Sequence, residues 1–492
     1  MAQLCVTIGA PTLADLRERR DLAAPDADLV ELRLDTVADP DVAGALAGRT
    51  TPVVVTCRAA WEGGHFRGSE DERLRLLHQA WVAGAEFVDV EFAARDAAPW
   101  IGATRGERLI LSSHDFAGVP HDLTARHRAM CAESPAVVKI AVTVERLAQL
   151  GPLAGLRAQA GQRQIVLGMG RPGLPTRLLP DRFGSAWTYA GDNWAPGQLP
   201  ASVFRKTYRF GAVSSRAAVY GVVARPSSHS VSPDMHNAAF AAAGLDAIYL
   251  PLEAADVDDL WTFSEAFGLQ GASVTLPFKV DVLPHVEADA LSRRVGAANT
   301  LTRRGGRWMG TNTDVAGLLA PLTDRMTLQG ARASILGTGG AARGAAVALS
   351  DAGARVTVFG RDPHKARGVA DLVGGASAIL PPAPGSWDLL VNATPAGMHP
   401  AIDESPWPDA RFDGALVYDL IYNPRQTRLL RDAAAAGCAT LDGLPMLIAQ
   451  AEAQFTQWTG RSPAPGVMLA AAEARLATFP AHDDGALSLS RS

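Results

Sequence analysis

Lys139 lies in the apolar run "SPAVVKIAV", residues 134–142, which is typical of a buried strand. An unpaired ammonium is costly to bury, so such a lysine is either paired or neutral, and a neutral buried amine is a nucleophile. The competing interpretation is that the run is an edge strand, on which a solvent-facing lysine prevents strand-to-strand aggregation. The choice between these two interpretations depends on the fold around the strand.

Other strand-like runs of the first half also carry charge. Glu31 and Arg33 are two residues apart and therefore share one face of a strand, Arg58 ends "PVVVTCR" with Glu62 shortly after it, and His114 ends "RLILSSHDF". Polar groups at the C-terminal ends of several strands are typical of barrel active sites. We therefore interpret this set as chemical groups rather than as core residues.

Short apolar runs alternate with helical patterning from the N terminus to about residue 200. Eight such runs predict a (β/α)8 barrel. A closed barrel has no edge strand, so the barrel disfavours the edge interpretation, and alternation along the strand directs Lys139 into the interior. The runs are "LCVTIGA", "LVELRLDTV", "PVVVTCR", "FVDVEF", "RLILSSHDF", "AVVKIAV", "RQIVLGMG" and "AWTYAG".

A desolvated lysine beside arginines is expected to attack a ketone and form an imine, which acidifies the adjacent C–H bond. With His114 acting first as base and then as acid, this chemistry favours loss of a β-hydroxyl group, a dehydration. Arg33, Arg58 and Arg177 suggest that the substrate carries a carboxylate, because a guanidinium binds that group through two parallel hydrogen bonds.

The first half resembles the type I 3-dehydroquinate dehydratases. The resemblance implies that Lys139 forms the imine, that His114 is the acid/base and that Glu62 orients the histidine. Trp194 stands where the family usually has serine, so one hydroxyl donor near the substrate loop is lost. The motifs are "VELRLD", "TCRAAWEGG", "SSHDF", "VVKIAV", "GLPTR" and "APGQ", in the family's order. The implied substrate-binding residues are Glu31, Arg33, Arg58, Arg177 and Gln198.

The segment "KTYRFGAVSSRAAVYG" predicts a hinge after the barrel, which we assign to residues 1–212. The second half is predicted to be an α/β region of two lobes. One lobe spans residues 217–325 and is completed by a helical segment at 444–478, and the other spans residues 326–443. The polar tail at 480–492 is predicted to be disordered.

The stretch "LGTGGAAR" matches G-x-G-x-x-A, with Gly337, Gly339 and Ala342 in the required positions. A strand-like run precedes the match and a helical pattern follows it, which predicts a Rossmann turn that binds dinucleotide phosphates. Gly340 and Ala341, between the matched positions, belong to the same predicted cofactor site.

The next strand ends in "FGRDPHKA", where such folds contact the adenosine ribose. Arg361 and Lys365 favour a 2'-phosphate and hence NADP. Asp362 between them is the competing interpretation, because its carboxylate could accept a hydrogen bond from a free 2'-hydroxyl. All three could also be solvated loop charges.

The lobe before this turn is rich in Ser, Thr and Asn, in "HSVSPDMHN", "VTLPFK", "GAANTL" and "GTNTD". These side chains suit a polyhydroxy substrate, because each hydroxyl needs a partner once water is excluded. Lys279 and Asp314 are the evident acid/base pair. Oxidation of an unrelated hydroxy acid could use the same pair, but it would not account for so many hydroxyl-binding residues.

With "NATPAGM", "YDLIYNPRQT" and "DGLPMLIAQ", these motifs resemble shikimate dehydrogenase over residues 217 to about 478. The resemblance implies that Lys279 and Asp314 catalyse proton transfer while NADPH reduces a 3-carbonyl. Gly360 replaces the asparagine that usually begins the adenosine-side pattern, so one ribose contact is lost. The implied ligand contacts are Ser230, Ser232, Thr275, Asn299, Asp314, Tyr422 and Gln450 for the substrate, with Asn392 and Thr394 for the cofactor.

The two resemblances support one interpretation, because the product of the dehydratase, 3-dehydroshikimate, is the substrate of the dehydrogenase. We expect a bifunctional enzyme of aromatic biosynthesis, similar to the plant-type fusion. Two alternatives remain open at this point. One is a quinate or shikimate dehydrogenase with a barrel of the class I aldolase type, and the other is a metabolite-sensing regulator without catalysis.

Composition narrows the partners to small molecules. The net charge is -5 without a basic cluster, which argues against nucleic acid, and no apolar run is long enough to span a membrane. The four cysteines have no metal-binding spacing, so no metal site is expected. Cysteine usage and the absence of a basic leader at the start predict a cytoplasmic protein.

Overall fold

The computed structural model describes residues 2–97, 106–192, 194–227, 230–408 and 410–479, so the tail predicted to be disordered lies outside the described residues. The described chain divides into two compact units. The first runs to Val219 and includes Asp246–Gly268, and the second comprises Tyr220–Leu245 and the described residues from Leu269 onward. The domain boundaries drawn from the sequence stay predictions.

The first unit contains the predicted barrel. Its strands are β1 Gln3–Ile8, β2 Leu29–Arg33, β3 Val53–Thr56, β4 Phe87–Glu91, β5 Leu109–Asp115, β6 Val137–Thr143, β7 Arg163–Met169 and β8 Trp187–Ala190. They are arranged in the order β7-β6-β5-β4-β3-β2-β1-β8, and a bridge between Gln164 and Ser185 joins the ends of the sheet. Strand β6 pairs with both β5 and β7. The edge-strand interpretation of Lys139 is therefore wrong.

Alternation along the strands separates two cores. Outward residues such as Val53 and Val55 pack with Leu74 and Leu77 of a surrounding helix. Inward residues such as Val54 form an apolar cluster in the interior. The described helices between Leu13 and Lys206 are α1 Leu13–Ala23, α2 Val42–Leu46, α3 Glu70–Val82, α4 Leu123–Ala132, α5 Leu150–Ala154, α6 Leu174–Leu178 and α7 Ala201–Lys206.

The second unit contains two sheets. The first sheet contains, in this order, the strands β9 Ala218–Val223, β11 Leu269–Val274, β13 Thr300–Arg304, β14 Arg307–Thr311 and β12 Glu287–Ala288. The division into units groups β10 Ala247–Leu252 and α9 Val257–Phe267 with the first unit. The helices of this part are α8 Ser232–Ala242, α10 Ala290–Val295, α11 Asp314–Leu319, α15 Leu444–Thr459 and α16 Val467–Leu476.

The second sheet is parallel and has the predicted Rossmann arrangement. Its strands are β15 Arg332–Leu336, β16 Arg355–Phe359, β17 Ala376–Ala378, β18 Leu389–Asn392, β19 Leu416–Asp419 and β20 Ala439–Leu441, in the order β17-β16-β15-β18-β19-β20. Its helices are α12 Gly340–Asp351, α13 Pro363–Ala370 and α14 Arg428–Ala435. Strand order reverses between β15 and β18, and that switch point is where such sheets bind ligands. The predicted fold class is confirmed.

No helix in the part of the chain that the structure describes is both long and apolar enough to cross a bilayer.

Candidate active sites

Lys139 lies on β6 inside the barrel and is 4% exposed. Its Nζ donates to Asp89 Oδ2 at 2.9 Å, lies 3.5 Å from Glu31 Oε1, and lies 4.4 Å from the centre of the Tyr189 ring. The sequence led us to expect arginines beside the amine, but its nearest charged neighbours are these two carboxylates. They fix the position of Nζ on the wall of an interior cavity.

The arginines of the barrel are neutralised by acids that the sequence analysis did not identify. Arg58 donates to Asp89 at 3.0 Å and to Glu91 at 2.9 Å, and Arg33 forms two parallel hydrogen bonds with Asp35, at 2.9 and 2.7 Å. The signal for Asp89 and Glu91 was present in "FVDVEF", where two acids are two residues apart on one face of β4.

Arg177 differs from these arginines, because no acid pairs with it within the described residues. It is 2% exposed, its Nε has no hydrogen-bond partner in that part of the chain, and its other nitrogens lie 3.4 Å from the carbonyl oxygen of Tyr189 and 3.5 Å from that of Pro196. Burial lowers the pKa of Arg177 to about 10. A buried guanidinium without a counter-charge favours a bound anion.

His114 and Glu62 form a dyad, with Nδ1 and Oε2 separated by 2.8 Å. Burial lowers the pKa of His114 well below its usual value, and the Arg58 and Lys139 charges act in the same direction. Burial also raises the pKa of Glu62 to about 8, although Arg58 lies 3.7 Å away and opposes the shift. Both shifts favour the uncharged forms of the two side chains, because burial removes the water that would solvate their charges.

One cavity of about 90 Å³ gathers every first-half residue that the sequence selected. Gln198 reaches it from the loop after β8, where its Nε2 donates to Thr7 Oγ1 at 3.2 Å and Thr7 donates in turn to Glu31 at 2.8 Å. The eight residues are Glu31, Arg33, Arg58, Glu62, His114, Lys139, Arg177 and Gln198.

A second network surrounds Lys279 and Asp314. Lys279 Nζ donates to Asp314 Oδ2 at 2.5 Å, while Asn299 Nδ2 donates to Asp314 Oδ1 at 2.8 Å and lies 3.4 Å from Gln450 Oε1. Four predicted residues therefore form one connected group. Gln454, one helical turn after Gln450, was not predicted, and its amide binds the Asn299 carbonyl oxygen at 3.2 Å.

The remaining predicted substrate residues lie in the loops after β9, β11 and β19. Ser230 Oγ accepts from the backbone N–H of Ser232 at 3.2 Å, at the start of α8. Desolvation raises the pKa of Tyr422 to about 12, and a hydrogen bond with the Val231 backbone opposes this shift, so the ring lies beside that turn. Thr275 belongs to the same loop as Lys279 and donates its backbone N–H to the Val223 carbonyl oxygen at 3.0 Å.

The Gly-rich turn has the shape that a dinucleotide requires. Gly337 has φ +123°, and a Cβ there would lie 2.9 Å from the Ala393 carbonyl oxygen. A Cβ at Gly340 would lie 3.0 Å from Lys279 Cβ, so the start of α12 packs directly beside the Lys279 side chain. The turn therefore fits a bound dinucleotide close to the acid/base pair. Gly339 caps α12, and Ala341 lies in its first turn.

Asn392 is fully buried at the end of β18, where its side-chain amide holds Thr394 in position. Its Nδ2 donates to Asp419 at 2.9 Å, and its Oδ1 accepts from the backbone N–H and the hydroxyl of Thr394, at 2.9 and 2.7 Å. The amide is thus used within the protein, and it positions the loop that holds Thr394.

At the adenosine end, Asp362 caps α13 by accepting from the backbone N–H groups of His364 and Lys365, at 2.9 and 3.2 Å. Both N–H groups donate to Oδ1, so the cap does not involve Oδ2. Arg361 and Lys365 are exposed beside it. A Cβ at Gly360 would lie 2.6 Å from Thr338 Cγ2 in the Gly-rich turn, so a larger residue there would require Thr338 to move.

Within the described ranges, no three His, Cys, Asp or Glu side chains group as metal ligands, and the four cysteines are unpaired.

Three family models match the chain. They are the type I 3-dehydroquinase over residues 4–215, the shikimate dehydrogenase substrate binding domain over residues 222–301, and the shikimate 5'-dehydrogenase C-terminal domain over residues 443–473.

Similar proteins cover either the whole chain or its second half. A chloroplastic bifunctional 3-dehydroquinate dehydratase/shikimate dehydrogenase of Arabidopsis thaliana is 32% identical over 503 residues, which cover 93% of this chain and 82% of the relative. A shikimate dehydrogenase (NADP(+)) of Halobacterium salinarum is 42% identical over 264 residues, which cover 52% of this chain and 99% of the relative. A solved shikimate dehydrogenase in complex with NADP+ aligns with a TM-score of 0.50 at 31% identity, covering 54% of this chain and 97% of its own.

Proposed function

Because the chain belongs to the family of bifunctional 3-dehydroquinate dehydratase/shikimate dehydrogenases, we propose that its barrel dehydrates 3-dehydroquinate and its second half reduces the product to shikimate with NADPH. The observation that carries the proposal is the grouping of the predicted site residues: three catalytic and five substrate-binding residues line one cavity, and Lys279 and Asp314 are hydrogen-bonded beside a dinucleotide-binding turn. We place the barrel at residues 1–212, the substrate lobe at 217–325 with 444–478, and the nucleotide lobe at 326–443.

In the barrel, Lys139 Nζ attacks the ketone of 3-dehydroquinate, and water leaves as the imine forms. His114 removes a proton from the adjacent carbon and then protonates the departing β-hydroxyl, which leaves as a second water molecule. Hydrolysis of the imine consumes one water molecule, releases 3-dehydroshikimate and regenerates the amine. Arg177 supplies the positive charge that the substrate carboxylate requires, because Arg33 and Arg58 already bind protein acids.

In the second half, the family's cofactor NADP(H) supplies a hydride when it is bound. Arg361 and Lys365 would bind its 2'-phosphate, and the backbone around Gly337 and Gly340 would bind its diphosphate. Lys279 and Asp314 deliver the proton to the substrate oxygen, and Asn299 fixes Asp314.

The substrates we propose are small molecules only, and the family match disfavours both the aldolase and the regulator alternatives. We also propose a cytoplasmic location, with four unpaired cysteines in support. The name of the Arabidopsis relative places that protein in the chloroplast.

The pH dependence of dehydration should report the Glu62–His114 dyad. As pH rises through about 8, Glu62 loses its proton and Nδ1–H of His114 donates to the carboxylate, which leaves Nε2 free to act as base. We therefore expect kcat/KM to rise through about pH 8. Glu62→Gln keeps a hydrogen-bonding side chain but cannot titrate, so its profile should lack this limb. An unchanged limb in the variant would assign the titration to another group.

Sequential addition of substrate and cofactor tests the proposed function as a whole. The purified protein with 3-dehydroquinate alone should produce 3-dehydroshikimate, identified by mass spectrometry, and subsequent NADPH should convert it to shikimate. NADH should support the second step much less well, because the exposed cations Arg361 and Lys365 would have no 2'-phosphate to bind. Failure of the first step, or an aldehyde product, would contradict the proposal.

A further inference from the structure

Trp194 separates two spaces in the first unit. On one side is the cavity of about 90 Å³ that Lys139 lines, and on the other is a groove of about 1010 Å³ formed by the loops that follow β1, β2 and β3. Among the described residues that line the two spaces, Trp194 alone lines both. Its indole is therefore the wall between the groove and the cavity.

The indole of Trp194 packs directly against Gly9. A Cβ at Gly9 would lie 2.2 Å from Cη2 and 2.4 Å from Cζ2 of Trp194, so the ring occupies the space that glycine leaves open. The Arg33 guanidinium carbon lies 5.9 Å from the ring centre, within cation–π range. Asp35, which lines the groove, holds that guanidinium through two hydrogen bonds.

The two spaces differ in size, and Trp194 lies between the larger and the smaller one. Pockets for small organic ligands usually have volumes of about 300 Å³ or more, and the cavity is well below that range. The groove is large enough, and Arg19, Arg67 and Arg75 line it. Glu72, which also lines the groove, lies 3.9 Å from Arg75, and Asp35 is bound to Arg33. The remaining charge of Arg19 and Arg67 therefore favours the approach of an anionic substrate from that side.

We propose that Trp194 is a gate between groove and cavity, whose seated position competes with the carboxylate substrate of the barrel. The substrate arrives through the groove and occupies the site only when the indole leaves Gly9. This inference rests on the proposed dehydratase function, and it makes Trp194 a residue that sets substrate affinity rather than one that carries out the chemistry.

Two single variants should weaken the gate in different ways. Trp194→Ala removes the indole. Gly9→Ala displaces the indole, because the new Cβ would overlap the ring. The backbone conformation of Gly9 is one that alanine also adopts. We expect each variant to lower KM for 3-dehydroquinate by about three- to thirtyfold. The apparent Kd equals the intrinsic Kd divided by the fraction of molecules in which the indole has left Gly9. The packing on Gly9 and the cation–π contact with Arg33 keep that fraction small in the wild-type protein. The value of kcat should change less than about threefold.

The double variant Trp194→Ala, Gly9→Ala tests whether Gly9→Ala changes KM through the indole of Trp194 or by another route. In the Trp194→Ala background, Gly9→Ala should have no further effect on KM, because the ring that it displaces is already absent. Trp61→Ala is the matched control, since Trp61 is an exposed tryptophan of the same barrel that lines neither space. It should leave KM unchanged.

An unchanged or raised KM in both single variants would overturn the gate, and so would equal effects of Gly9→Ala in the two backgrounds. If the wild-type protein does not dehydrate 3-dehydroquinate at all, the proposed function fails instead, and the two failures are therefore distinguishable.

Discussion

Lys139→Ala should abolish dehydration of 3-dehydroquinate while reduction of added 3-dehydroshikimate continues at the wild-type rate. Loss of a covalent nucleophile costs about 10⁴-fold or more in kcat, because the remaining groups cannot form the imine. Reduction should continue because Lys279, Asp314 and the Gly-rich turn all belong to the second unit. Product formation from each substrate, measured separately, checks both halves of this prediction.

Two further variants control for loss of folding. Lys139→Ala removes the cation that lies between Asp89 and Glu31 and leaves Arg58 bound to Asp89, and this loss destabilises a buried network. Lys139→Arg retains the positive charge but cannot form an imine, so it should be equally inactive with a Tm closer to that of the wild type. Lys206→Ala, at an exposed lysine of the same barrel, should be fully active. Substantial dehydration by Lys139→Arg would contradict the assignment of the nucleophile.

Lys279→Ala should have the opposite effect. Loss of the proton donor should lower reduction by about 10²- to 10⁴-fold and leave dehydration intact. With 3-dehydroquinate and NADPH both present, 3-dehydroshikimate should therefore accumulate. The measurement is the amount of each product over time. If Lys279→Ala and Lys139→Ala each abolished both reactions, one shared site would have to replace the two sites described above.

The eight barrel strands could be predicted because each is a short apolar run between helical segments. The Gly-rich turn could be predicted because its glycine spacing, between a strand and a helix, is typical of a dinucleotide-binding turn. The partners of the charged groups could not. Lys139 binds the carboxylate of Asp89, which is 50 residues away in the sequence. A local sequence pattern does not indicate which of several acids lies next to the lysine in the folded chain.

Departures from family patterns also needed the structure. Gly360 was interpreted as a lost ribose contact, and the structure adds that a Cβ there would lie 2.6 Å from the Thr338 methyl group. Asp362 was a candidate ribose ligand, and the structure adds a second role, because its Oδ1 caps α13. In both cases the structure shows a contact between residues that the motif alone does not contain.

Borohydride trapping tests most directly whether Lys139 is the imine-forming residue. The chain contains four lysines, Lys139, Lys206, Lys279 and Lys365, so a peptide map can account for every lysine amine. When borohydride is added during turnover of 3-dehydroquinate, the reduced adduct should appear on Lys139 alone, and it should be absent from Lys139→Ala. No adduct in the wild-type protein, or an adduct on another lysine, would contradict the imine mechanism.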